Sequence, residues 1–95
     1  MTAFEQRMAE FHARFLVRAA EDADKIEAAL ADGDFTALRV ICHGLSGNAG
    51  MFGFAELGSQ AQAVEDTVDA GEPEASVRAL ASELLRQLAG VAQGR

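Results

Sequence analysis

Ninety-five residues, 49% of them apolar, are enough to close one hydrophobic core and too few for a cofactor-binding lobe beside a substrate lobe. The apolar set is mostly Ala and Leu with six Phe and neither Trp nor Tyr, a balance that favours closely packed helices over a β-sandwich. The net charge of −7 argues against a nucleic-acid or anionic-membrane surface, and the lone cysteine, Cys42, permits no intramolecular disulfide.

The opening residues Met1-Thr2-Ala3-Phe4-Glu5-Gln6-Arg7 lack the basic-then-apolar layout of an export signal, and no apolar run approaches bilayer length. The expectation is one reduced, soluble, cytoplasmic domain over residues 1–95, monomeric, with protein partners. Thr2 and Glu5 form a candidate capping box, after which Phe4, Met8, Phe11, Phe15, Ala19, Ala23, Ile26 and Leu30 recur at helical steps. Gly33 suits a left-handed helix end, and Asp34 is a candidate N-cap for a second helix carrying Leu38, Ile41, Leu45, Ala49 and Phe52. The Gly50-Met51-Phe52-Gly53 segment predicts a tight reversal. Phe54, Leu57, Ala61, Val64 and Val68 mark a third helix that ends at Gly71-Glu72-Pro73, with Pro73 as the first residue of a fourth carrying Val77, Leu80, Leu84, Leu88 and Val91.

At 1.5 Å per residue the first stretch is roughly 40 Å long and the later ones roughly 25 to 30 Å. A bend near Ala19 to Asp24, folding Phe4 to Phe15 across one end, is expected, since protrusion leaves several Phe in water. Short connections at 32–34, 52–54 and 70–73 demand antiparallel neighbours. The predicted fold is all-α: an antiparallel up-down four-helix bundle with an additional N-terminal helical segment.

A residue advances about 100° around a helix, so Leu38, Ile41, Leu45 and Phe52 share one sector and His43 falls nearly opposite them. Its neighbours there are Arg39, Ser46, Gly47 and Gly50. Each of Gly44, Gly47 and Gly50 costs a helix interior roughly 0.5 to 1 kcal/mol relative to alanine. One reading is that small residues let a partner protein bring a phosphoryl group in line with the imidazole nitrogen, with Arg39 and Ser46 placed to hold its oxygens. The other is an ordinary exposed histidine at a fraying helix end.

The segment Ile41-Cys42-His43-Gly44-Leu45-Ser46-Gly47-Asn48-Ala49-Gly50-Met51-Phe52-Gly53-Phe54 resembles the signature of histidine phosphotransfer (HPt) domains, in which the phosphorylated histidine precedes one glycine by four residues and another by ten, here His43, Gly47 and Gly53. The likeness extends to the lead-in Ile26 to Asp34 and onward through Leu57, Ala61 and Val64-Glu65. It implies a helical bundle that relays a phosphoryl group through His43 to or from an aspartate of response-regulator receiver domains, or from a hybrid histidine kinase. It further implies that the chain binds no cofactor and that Mg²⁺ sits on the receiver. Gly58, Gln62 and Glu65 are implied to flank the docking surface. Many members carry a cation three residues after the histidine; this chain has Ser46, and Arg39 is the candidate replacement.

An alternative function is a helical adaptor that binds a signalling partner through the glycine-lined face without covalent chemistry. His12 reads as a partly exposed helix residue, Cys42 as a semi-buried hydrophobe, and the runs Glu21-Asp22-Asp24 and Glu65-Asp66-Asp69 as solvated faces. No spacing suits a metal site, and no glycine-rich nucleotide loop supports autokinase activity.

Overall fold

The computed structural model describes residues 2–92, which form α1 (Ala3–Asp32), α2 (Phe35–Met51), α3 (Ala55–Asp69) and α4 (Glu74–Ala92). The Thr2 hydroxyl accepts from the Glu5 N–H, and the Asp34 carboxylate accepts from the Ala37 N–H at 3.0 Å, so α1 and α2 start where side-chain acceptors satisfy orphan amides. The start of α4 differs by one residue from the sequence expectation. The carbonyl of Pro73 accepts from the Ser76 and Val77 N–H groups, which makes the proline the residue before the helix rather than its first member.

The three reversals share one device. Asp34 donates to the carbonyl of Ala29, Phe54 to that of Ala49 and Glu72 to that of Thr67, each across a glycine with positive φ (Gly33, Gly53, Gly71). This is the Schellman closure, which satisfies late helical carbonyls while turning the chain. Joined this way, α1 packs on α2 and α4, and α3 packs on α2 and α4: the antiparallel up-down four-helix bundle. Ile26, Leu38, Leu45, Val64, Val77, Leu84 and Leu88 fill its centre.

The expected bend in α1 is absent. The helix is continuous over 30 residues, and the molecule measures 49 × 20 × 19 Å. Sharp kinks need Pro, Gly or an inserted group, and Ala3 to Asp32 contains neither Pro nor Gly. The additional N-terminal segment is therefore the overhang of α1 itself. Phe15 is buried, stacked on Phe54 at 5.1 Å and tilted against Phe52 at 5.3 Å, and this aromatic cluster ends the core. Beyond it Phe4, Met8 and Phe11 remain 68%, 43% and 42% exposed.

The contact between α2 and α3 depends on Gly58. A Cβ there would lie 3.3 Å from the Ser46 carbonyl oxygen and 3.5 Å from the Gly50 nitrogen, so the absent side chain is what lets the two backbones meet. On the other side of α2, α1 inserts Asp22, which is 2% exposed; its Oδ1 accepts from Arg18 Nε at 3.4 Å and its Oδ2 has no hydrogen-bond partner. This corrects the reading of Asp22 as part of a solvated face. Burial pushes its carboxyl above the ordinary 3.8, with Arg18 pulling the other way.

Gly58→Val forces α3 off α2 and is expected to destabilise the bundle by about 2 kcal/mol, read from chemical denaturation. Asp22→Asn tests the buried carboxyl. Because its folded-state pKa is raised, the parent loses stability as pH climbs above 3.8 and the unfolded chain ionises first. Thermal unfolding across a pH series should therefore show the variant gaining on the parent from acid toward neutrality.

Candidate functional site

Helix α2 carries the site. Leu38, Cys42, Leu45 and Ala49 turn into the core, which leaves His43 on the outer face with its side chain 72% exposed. The imidazole is nevertheless held. Its Nδ1 lies 2.9 Å from Glu65 Oε2 and 3.2 Å from Oε1, across the contact between α2 and α3. Glu65 is one of two buried charged residues among those described. A carboxylate accepts hydrogen bonds, so the contact assigns the ring hydrogen to Nδ1 and leaves the Nε2 lone pair facing outward.

Glu65 also receives the Arg39 guanidinium at 3.3 Å, and Gln62 donates to it at 3.4 Å and to Asp66 at 2.8 Å. Two buried oxygens are thereby shared among an imidazole, a guanidinium and an amide, as a buried charge requires. Arg39 is paired a second time: Nε and its terminal nitrogen both donate to Asp69. That bidentate bond holds the Asp69 carboxyl below its usual range and raises Arg39.

The other expected site residues fall as follows. Ser46 donates its hydroxyl to the carbonyl of His43 at 2.9 Å. Gly47 and Gly50 are exposed, and a Cβ on either would meet nothing within 4 Å, so no packing in this molecule demands them. Glu65 of α3 meets the imidazole, Gln62 reaches Glu65 and Asp66, and Gly58 is buried against Ser46, Ala49 and Gly50. His12 sits far along α1, its ring 5.5 Å from that of Phe54.

Two expectations need correction. Cys42 is fully buried rather than semi-buried, and burial, followed by the charges of Glu65 and Asp22, pushes its thiol up to about 12. Glu65 is likewise no part of a solvated acidic face. Sequence reasoning missed Asp69 as the partner of Arg39, because the pair is joined across 30 positions and no local spacing announces it. It also missed Arg18, which reaches α2 from the α1 side: a Cβ on Gly44 would lie 3.7 Å from its guanidinium. A signal for that side did exist, since Asp22 is three residues after Ala19 and four before Ile26, on the buried stripe of α1.

Among the described residues no group of three His, Cys, Asp or Glu side chains is placed to hold a metal ion, and no helix is long and apolar enough to cross a membrane. On the α1 side of α2 a shallow cleft of about 170 Å³ is lined by Phe11, Arg14, Phe15, Arg18, Asn48 and Phe52. Next to it Met8, Phe11, Met51 and Phe52 line an apolar one of about 270 Å³.

Comparison with curated proteins and with solved structures found no match. The family model described as Hpt domain matches residues 10–94, which include the whole of α2, α3 and α4. With four antiparallel helices and an exposed histidine on the second, this chain belongs to the Hpt domain family, the histidine phosphotransfer domains of two-component phosphorelays.

Proposed function

We propose that His43 Nε2 is the phosphoryl acceptor and donor of this chain, and that its partners are receiver domains carrying a phosphorylatable aspartate. The single observation behind this reading is the pairing of a solvent-facing Nε2 with an Nδ1 anchored to the buried Glu65 carboxylate at 2.9 Å.

In the forward step the Nε2 lone pair attacks the phosphorus of a receiver's aspartyl phosphate. The N–P bond forms, the O–P bond breaks, and the receiver regains a free carboxylate. No proton has to leave the ring. Positive charge gathers at Nδ1–H, where Glu65 already accepts, so the anion that orients the imidazole also stabilises the product. The reverse step hands the group to another receiver. A Mg²⁺ ion held by the receiver would supply charge neutralisation at the transferring group.

Access follows from the glycines. Gly47 and Gly50 present bare backbone beside His43, so a receiver surface can approach the ring closely enough for in-line transfer. Met51, 73% exposed, and Phe11 extend this face with apolar surface suited to a protein partner. With no nucleotide-binding loop in the sequence, the chain acts as a carrier and depends on its partners for the phosphoryl group.

Incubation of the parent with phosphorylated receivers is expected to give acid-labile, base-stable label, and His43→Gln none. Equal labelling of the two proteins removes His43 from the role, and absence of label on the parent with every receiver favours a non-covalent adaptor. Glu65→Gln keeps the size of the side chain and removes its charge. It is expected to slow transfer about tenfold or more, the loss of one charge-assisted hydrogen bond, measured as the rate from phosphorylated receiver to His43.

A further inference from the structure

Asp22 and Glu65 are the buried charged residues among those described, and they occupy α1 and α3, the two helices that flank α2. Cys42, the residue before His43, feels the charge of both carboxylates. Each carboxylate holds an arginine: Glu65 pairs with Arg39 of α2 itself at 3.3 Å, and Asp22 with Arg18 of α1 at 3.4 Å. The two arrangements are not equally committed. Arg39 serves Glu65 and Asp69 together, one cation against two anions. Ser46 is turned back onto the His43 carbonyl. A phosphoryl group adds further negative charge to a chain already at −7, while α3 carries no Lys or Arg and Arg39 is already paired twice.

Arg18 does. Its side chain is 51% exposed, and a single long bond to Asp22 is its one hydrogen bond among the described residues, out of five N–H donors. Its guanidinium lies on the Gly44 side of α2, one residue after His43, 3.7 Å from where a Cβ on that glycine would stand. Asp22 leaves its Oδ2 without a partner in the core, so it is a poor choice for stability alone and a sensible one for aiming Arg18.

We propose that Arg18 closes the α1 side of the phosphoryl site: once His43 Nε2 carries the group, the guanidinium reaches past Gly44 and donates N–H bonds to the phosphoryl oxygens, with Asp22 as its positioning residue. The inference rests on His43 being the phosphoryl carrier. It adds no covalent step to the transfer already described, in which the N–P bond forms as the O–P bond breaks. Arginine suits the place because its planar fork matches phosphoryl oxygens and stays charged.

The test uses the full chain phosphorylated chemically with phosphoramidate, which delivers a phosphoryl group to the imidazole and releases ammonia. Arginine Nε–Hε signals are followed by NMR, and the rate of onward transfer to a saturating receiver is measured. The Arg18 signal should shift on phosphorylation of the parent and stay put in His43→Gln. Arg18→Gln should lower the saturated transfer rate about tenfold without changing the receiver concentration for half-maximal rate, and Arg18→Lys should recover much of it. The double variant Arg18→Gln with Asp22→Asn removes both charges of the pair, and a rate equal to that of Arg18→Gln excludes a stranded buried carboxylate as the cause. A labelled parent with an unmoved Arg18 signal, or with Arg18→Gln transferring as fast as the parent, overturns this inference alone. A parent that takes no label from phosphoramidate or any receiver overturns the carrier reading, and this inference with it.

Discussion

A carboxylate sealed between two helices has to be paired, and Glu65 meets that demand with His43, Arg39 and Gln62. This constraint organises the rest of the site. Because Glu65 accepts from Nδ1, the ring cannot rotate freely despite its exposure, and the opposite nitrogen is presented to solvent in one tautomer. Because Arg39 shares the same carboxylate, the α3 side of the histidine is a closed electrostatic unit that extends to Asp69. Because Glu65 and Arg39 each serve more than one partner, substitutions within this network are expected to be non-additive.

The helical frame makes that pairing possible through what it omits. Gly58 carries no Cβ, so α3 comes close enough to α2 for a glutamate side chain to span the groove. Gly47 and Gly50 are different in kind: no internal neighbour excludes a side chain there, and their cost to α2 is borne by the bundle that packs its other face. The three Schellman turns complete the frame. They reverse the chain within a few residues and bring α2 between α1 and α3, so the histidine helix has a buried carboxylate on either side.

The overhang of α1 shows where pattern reasoning overreached. Avoiding exposed Phe is a sound general preference, but a helix bends only where its backbone hydrogen bonds can be interrupted, and α1 has no residue that does so. Phe15 is buried because the Phe52 and Phe54 rings lie opposite it; Met8 and Phe11 are only partly covered, where they line a cleft with Met51 and Phe52, and Phe4 is 68% exposed. The apolar surface that results is continuous with the α1 side of the histidine face through Phe11 and Phe52.

Local chemistry was legible along the chain. The Thr2 and Asp34 caps, the glycine helix ends, the number of helices and the outward placement of His43 follow from hydrogen-bonding capacity and from 100° per residue, which need no knowledge of what lies across the bundle. Everything that turns a surface histidine into a held one is non-local. The bond from His43 to Glu65 spans 22 positions and that from Arg39 to Asp69 spans 30, and neither spacing has meaning until α2 and α3 are laid side by side. Asp22 lay on the buried stripe of α1 from the start, yet only packing decides whether a carboxylate on such a stripe is buried or snorkels to solvent, because that depends on the partner helix. Sequence by itself thus determined the helices and which residue faces out; the tertiary structure decided which charges surround it, since burial and pairing are properties of two surfaces in contact.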